Sequence, residues 1–341
     1  MTITVLLTCA GGELSPLMIR MLKTSTRHAV RVVAVDMRED AAGRHFADVF
    51  RTVPAGDAPS YIDAMLDIVK SNGVNLVVPT SDEEALALSA HRSAFTALGC
   101  DLACAEYDTL RVLADKGAAY QQMRRVGLPV PDWKSANTRD ELGTVIEEMI
   151  TAHGDLIVKP VTARGGRGVV GIVENSMSVP EGSRENRVTA DRFFKDILPN
   201  YGDALPAMVM PRLEEPVHDL DMLAWRGSPI RVIPRRRVNS ALPNEGHVIL
   251  DAPELIDLGN RVIAEFSLSW LYDCDIMFDA KGVPWILEIN PRQSGSIAAS
   301  IVAGVPLLDD MLSLAKGEPV PDVDLPANSV IIPFKSLGLS N

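Results

Sequence analysis

The chain has 341 residues, 47% of them hydrophobic and 23% charged, which suits two or three packed domains and excludes a repeat array or a disordered tail. A formal net charge of −12 and an isoelectric point near 5.0 argue against general binding to nucleic acid or anionic membranes, so any anionic ligand must sit in a local basic pocket. Cys9, Cys100, Cys104 and Cys274 show no paired CxxC spacing, which indicates neither a zinc site nor a disulfide framework and fits a reducing cytoplasm.

The first residues, MTITVLLTCAGG, lack a basic leader region, and no apolar run approaches the roughly 20 residues of a membrane span, so neither export nor insertion is expected. Ile3 to Leu7 reads as a short strand that ends in the turn CAGGELS. Leu14, Leu17, Met18, Met21 and Leu22 then recur at helical spacing, and VRVVAVD follows as a second strand ending at Asp36. VNLVVPT, a helical stretch from Asp82, and CDLACA continue the alternation, which predicts a small parallel sheet with helices on both faces. A dinucleotide site is the obvious temptation in such a unit. CAGGEL is not GxGxxG, however, a glycine pair after a strand serves as a plain turn, and Asp36 alone does not make an NAD site.

Two prolines in VGLPVPDW break the pattern and mark a crossing into a second domain, followed by a helix from Asp140 to about Thr151. In LIVKPVTARGGRGVVGIV, two β-rich runs flank a loop that holds Gly165, Gly166 and Gly168 together with Arg164 and Arg167, and Lys159 ends the first run. Glycines let backbone N–H groups approach phosphate oxygens, and a lysine adds a point charge. The GxxxxGK[ST] spacing is absent, so a mobile surface hairpin with solvated charges is the competing reading.

Near the C-terminal end, DCDIMFDAKGVPWILEINPRQSGS places Glu288 inside the apolar strand Trp285 to Ile289. Such a carboxylate is costly unless it is neutralised, paired or bound to a cation. Gly282 marks a hairpin turn between Asp275 and Glu288, so adjacent strands can aim both carboxylates at one point, with Asn290 on the same face as Glu288. Oxygen ligands of this kind suit Mg²⁺, although a salt bridge from Glu288 to Arg292 or a lysine would satisfy burial equally well. RVIPRRRVNSALPNEGH puts Arg235 and Arg237 on one strand face and Arg236 on the other, where a solvated edge or acidic neighbours are the alternative to a phosphate. The six histidines show no metal-binding spacing, and His247 alone, near PNEG, stands close to the other chemistry.

Taken in order, Lys116 in ADKGAAYQQMRRVGLPVPDW, Lys159 with the glycine loop, AMVMPRLEEPVHDLDML, Asp275, and LEINPR resemble the ATP-grasp superfamily. The resemblance runs from about Asp115 to Leu314. TARGGRG and LEINPRQSGSIAASIVAGVPLLDDMLSLAKG are most similar to a synthetase half of the carbamoyl-phosphate synthetase large subunit and to related carboxylate-amine ligases. It implies an α/β chain in which an ATP-grasp fold is preceded by a Rossmann-like parallel-sheet domain. The parts would be residues 1–112, a small lid subdomain 113–210 with the glycine-rich loop, and a large subdomain 211–341 with the metal site.

The same resemblance implies ATP and Mg²⁺, or Mn²⁺ in its place, with the metal on Asp275, Glu288 and Asn290 and a phosphate on Arg292. Arg235 or Arg237 would face the transferred phosphate, and Lys116, Lys159, Gly165, Gly166 and Gly168 would hold the nucleotide phosphates. Met210 to Leu213 would present backbone groups to adenine. Met210 or Pro211 stands where a glutamate is common in that connector, and the ribose-binding acid falls on Glu214, on Glu215 or at Val217. The implied activity phosphorylates a small-molecule carboxylate with ATP and passes the acyl group to an amine or other nucleophile, releasing ADP and phosphate, with no nucleic acid or membrane partner. Carboxyphosphate chemistry, a small-molecule kinase and a non-catalytic nucleotide-binding regulator are the alternatives, and a homodimer is open. The chain is too short for both synthetase halves, and it shows no glutaminase motif.

Overall fold

The computed structural model describes residues 2–161, 168–174 and 186–334. Its first sheet is all parallel, with strands β1 (Ile3–Leu7), β2 (Val30–Asp36), β3 (Val49–Thr52), β4 (Leu76–Val78) and β5 (Asp101–Leu102) in the order β3-β2-β1-β4-β5. Every residue of β1 and β4 is buried, as a parallel strand covered by helices on both sides requires. The predicted alternation is present, and β3 and the helix Tyr61–Asn72 complete it; neither was expected from the sequence.

Asp36 closes the turn after β1. Its Oδ2 accepts from the Gly11 amide at 2.6 Å and its Oδ1 from the Arg38 amide at 2.9 Å, so the carboxylate is committed to backbone rather than to a ribose. At the point where the strand order reverses, Ser81 caps the helix Asp82–Ala90, and its neighbour Glu84 accepts from Thr8 Oγ1 at 2.6 Å and Ser81 Oγ at 2.9 Å. That cap fixes the direction in which Asp82 leaves the sheet.

The second sheet has the order β6-β10-β7-β8-β9, from β6 (Lys134–Ala136), β7 (Leu156–Pro160), β8 (Val170–Ile172), β9 (Asn186–Val188) and β10 (Ala207–Pro211). The helix Arg139–His153 covers it through Leu142, Ile146 and Met149, which recur at helical spacing and pack on Leu156, Val158 and Val209. The antiparallel pair β7 and β8 is the predicted hairpin, in register at Val158 and Val170. Its loop, with Gly165, Gly166, Arg164 and Arg167, lies outside the described residues. Gly168 lies within them at φ 72°, packed so that a Cβ would meet Pro160 Cγ at 3.0 Å.

The third sheet is antiparallel, with β11 (Glu214–Trp225), β12 (Ser228–Arg237), β13 (His247–Ile249), β14 (Trp270–Phe278), β15 (Pro284–Asn290) and β16 (Val330–Ile331) in the order β15-β14-β11-β12-β13-β16. Leu220 and Met222 of β11 share a core with Leu255, Leu258 and Val262 of the helix Pro253–Glu265, and strand alternation sends Asp219 and Asp221 to the other face. Two successive helices, Tyr107–Ala114 and Lys116–Arg125, lie against β15. Tyr120 of the second donates to the Leu287 carbonyl at 2.9 Å, which locks the first turn of that helix over the strand that carries Glu288. Among the described residues no helix is long and apolar enough to cross a membrane.

Candidate active site

A cavity of about 500 Å³ lies between the second and third sheets and reaches the parallel-sheet domain at Asp82. Lys116, Lys159, Met210, Leu213, Arg237, Asp275, Glu288, Asn290 and Arg292 all line it, so residues scattered over most of the sequence meet on one surface.

The acidic wall follows from strand register. Asp275 of β14 is opposite Glu288 of β15, and Asp273 is opposite Asn290. On the other side of β14, Asp275 faces Asp219 of β11, and Asp219 faces Arg235 of β12. Alternation along each strand keeps these side chains on one face. Each acid has a partner on that face. Glu288 lies 3.2 Å from Lys116 Nζ, Asp275 Oδ1 accepts from Arg237 Nη2 at 3.0 Å, and Asp273 Oδ2 accepts from Asn290 Nδ2 at 3.0 Å. The lysine salt bridge that competes with a cation for Glu288 is therefore present, on the cavity wall.

These contacts set the protonation of the site. Burial raises the Glu288 carboxyl, but Lys116, Lys159 and Arg292 together hold it below the usual carboxylate range. Asp275 goes the other way, to about 7, because burial and the charges of Asp219 and Glu288 outweigh Arg237. Lys159, at the end of β7 with its Nζ 5.6 Å from the centre of the Tyr120 ring, is lowered to about 8, chiefly by burial.

Arg235 and Arg237 alternate along β12 but have different surroundings. Arg237 lines the cavity and donates to Asp219 and Asp275. Arg235, which the sequence offers equally as a phosphate-facing arginine, is instead fully buried. Its Nη2 donates to Asp221 Oδ1 at 2.9 Å, and its Nη1 lies 3.1 Å from Ser296 Oγ and 2.9 Å from His247 Nδ1. Its donors are committed to protein groups, and the acidic-neighbour alternative holds for it. His247 is likewise structural: burial and Arg235 lower its pKa to about 4, and its Nε2 lies 2.6 Å from the Pro243 carbonyl.

Arg292 lies 3.2 Å from Asp82 Oδ1, a link from the parallel-sheet domain into the cavity. In the connector, Met210 is still part of β10 and pairs with Ile157, and only Arg212 and Leu213 lie between β10 and β11. Of the three ribose-acid positions, Glu215 and Val217 are on the wall, and Glu215 Oε1 accepts from Arg187 at 3.0 Å.

Sequence reasoning missed Asp82, Asp219, Asp221 and Asp273. For the last three a signal was available. HDLDML and DCDIM both read Asp-x-Asp inside apolar strands, which puts two carboxylates on one face of each. The oxygen-only character of the acidic wall fits a hard cation, since no cysteine or histidine lines the cavity and Asp273 Oδ1 is buried without a hydrogen-bond partner.

This is an ATP-grasp architecture behind a parallel-sheet domain. Residues 203–332 match the family model described as ATP-grasp in the biosynthetic pathway with Ter operon, and residues 5–103 match the PylC-like, N-terminal domain. The chain thus carries an ATP-grasp domain and a PylC-like N-terminal domain. Among solved structures, N5-carboxyaminoimidazole synthetase from Staphylococcus aureus complexed with ADP is similar over 97% of this chain and 80% of its own, at 17% identity and a TM-score of 0.68. The biotin carboxylase domain of 2-oxoglutarate carboxylase from Hydrogenobacter thermophilus, in complex with MgADP, ADP and bicarbonate, is similar over 95% of this chain and 72% of its own, at 17% identity and a TM-score of 0.69. N5-carboxyaminoimidazole ribonucleotide synthetase from Thermotoga maritima is similar over 95% and 78%, at 13% identity and a TM-score of 0.64. No curated protein matches the chain by sequence. At these identities the structural likeness establishes the fold.

Proposed function

We propose that the chain is an ATP-dependent ligase, which transfers the γ-phosphoryl group of ATP to a small-molecule carboxylate and passes the acyl phosphate to an amine or other nucleophile. The observation that carries this reading is the meeting of Lys116 and Lys159 with Asp275, Glu288, Asn290 and Arg292 in one cavity of about 500 Å³. The ADP and MgADP complexes of the solved relatives support a nucleotide as the ligand.

In this reading Lys159 and Lys116 hold phosphate oxygens, the glycines Gly165, Gly166 and Gly168 cover them, and Met210 to Leu213 flank the adenine. Asp275, Glu288 and Asn290 would hold Mg²⁺, or Mn²⁺, which supplies charge neutralisation on the phosphate tail when bound. Arg237 and Arg292 stand at the same end of the cavity to receive the transferred group, with Arg237 taking the place first shared with Arg235. A carboxylate oxygen attacks the γ-phosphorus, and the β,γ-bridging oxygen leaves with the bond electrons as ADP. The nucleophile then adds to the acyl carbon, and phosphate departs. No side chain acts as a nucleophile; positioning and electrostatics do the work.

Bicarbonate is a specific second reading for the carboxylate, since one similar structure holds it beside MgADP. The four cysteines are free thiols, which supports a reducing cytoplasm as the location. The test is a screen of carboxylates, bicarbonate included, paired with amines, with the nucleotide products followed by chromatography. ADP and phosphate that appear only with both partners support the ligase. AMP in step with ligated product refutes it, ADP with a phosphorylated end product indicates a kinase, and no turnover with any pair favours the regulator.

A further inference from the structure

Two strands of the third sheet each place two aspartates on the face that borders the cavity. Asp219 and Asp221 of β11 stand in register with Asp275 and Asp273 of β14, which gives a block of four carboxylates. Asp219 and Asp221 are fully buried, and Asp273 is 4% exposed. Two guanidinium groups answer them: Arg235 binds Asp221, and Arg237 binds Asp219 and Asp275. Two negative charges are left over within the block, in a place where unpaired carboxylates are strongly disfavoured.

The leftover charge has a definite position. Asp219, Asp273 and Asp275 each offer one carboxylate oxygen, and these atoms lie within 4.8 Å of one another. Asp273 Oδ2 is held by Asn290, whereas Asp273 Oδ1 is buried with no hydrogen-bond partner, and Asp273 and Asp275 both line the cavity. A single shared proton would neutralise only half of the excess, while a divalent ion would neutralise all of it. Hard carboxylate oxygens, with waters from the cavity completing the shell, are the environment that Mg²⁺ and Mn²⁺ select.

We infer that Asp219, Asp273 and Asp275 form a site for a hard divalent cation, Mg²⁺ or Mn²⁺, which fills before any nucleotide arrives. This site differs from the set of Asp275, Glu288 and Asn290, because it needs neither Glu288 nor a phosphate oxygen. Glu288 is held by Lys116 at 3.2 Å on the far side of Asp275. The inference stands apart from the ligase reading, since it concerns the protein without nucleotide.

The test is a titration of the nucleotide-free full chain with Mn²⁺, read by electron paramagnetic resonance of the free ion. Wild type should bind one ion per chain. Asp273→Asn should weaken that binding about tenfold or more, and Glu288→Gln should leave it unchanged. Mg²⁺ should raise the melting temperature of wild type and not that of Asp273→Asn. Three results overturn the assignment: wild type that binds no Mn²⁺ without nucleotide, Asp273→Asn that binds as tightly as wild type, or Glu288→Gln that loses as much as Asp273→Asn. If Asp273→Asn does not fold, wild type and Glu288→Gln still decide. A parallel measurement of MgADP binding separates the two readings, because a chain that binds MgADP but no free Mn²⁺ overturns this inference alone.

Discussion

Asp275 and Glu288 face each other across the β14–β15 ladder, and each carries its own basic partner, Arg237 at 3.0 Å and Lys116 at 3.2 Å. Two carboxylates in direct register repel unless something lies between or beside them. The basic partners solve that problem in the ligand-free chain. Their pull is unequal, so Glu288 is held ionised while Asp275 is raised to about 7. A site built this way has one carboxylate ready for a cation and a second that becomes ready when a cation arrives.

Glu288→Gln removes the ionised member and leaves a neutral amide of the same shape against Lys116. The variant should fold, with a melting temperature close to that of wild type, and its ATP turnover with the cognate substrate pair should fall on the order of 100-fold or more. Turnover within a fewfold of wild type in a folded Glu288→Gln protein would remove Glu288 from the metal set.

Lys159 should be the most reactive lysine of the ligand-free protein. Burial lowers its pKa to about 8, so half of it is unprotonated near that pH, where an ordinary lysine at about 10.4 is almost wholly charged. Acylation by a small reagent, mapped by mass spectrometry, should reach half its maximal rate near pH 8 at Lys159, and MgADP should suppress it. A rate that rises only above pH 10, or one that nucleotide leaves unchanged, would contradict the placement.

Arg235 and Arg237 should separate by phenotype. Arg235→Met leaves Asp221 buried without its cation, which costs roughly 3–5 kcal/mol, and urea unfolding should register that loss. Arg237→Met should act mainly on turnover. An Arg235→Met protein with wild-type stability would show that its guanidinium is not the partner that Asp221 requires.

His247 contributes an acid-sensitive limb to stability. Its pKa is lowered to about 4 in the folded chain, so between the unfolded value near 6.5 and about 4 the unfolded state binds a proton that the folded state does not. The contribution is intact above pH 6.5 and is lost as pH falls through that window, by up to about 3 kcal/mol. In urea-unfolding series across pH 4 to 7, His247→Asn should show a shallower decline than wild type.

Much of this was legible in the sequence because the signals are local. The βαβ alternation from Ile3 to Leu102 follows from short apolar runs, and the hairpin that carries Asp275 and Glu288 follows from Gly282 between two apolar strands. What could not be read was register between strands far apart in sequence. Nothing local says that Asp219 lies opposite Asp275, or that Arg235 pairs with Asp221 while Arg237 reaches the cavity, because neighbours across a sheet are set by the whole fold. The capture of Arg292 by Asp82 depends on how two domains pack, which has no signature in either segment. The reading of Arg235 failed for that reason. Strand alternation fixes a face, but not whether that face is covered.

The central claim is that the cavity bounded by Lys116, Lys159, Asp275 and Glu288 is a nucleotide site. The most direct measurement is a calorimetric titration of the full-length wild-type chain with MgADP, repeated on Lys159→Met. The account predicts one nucleotide per wild-type chain and a loss of affinity of about tenfold or more in the variant, since a charge-assisted contact to phosphate is removed. Wild type that binds no MgADP at millimolar concentration, or a folded Lys159→Met that binds it as tightly as wild type, would contradict the account.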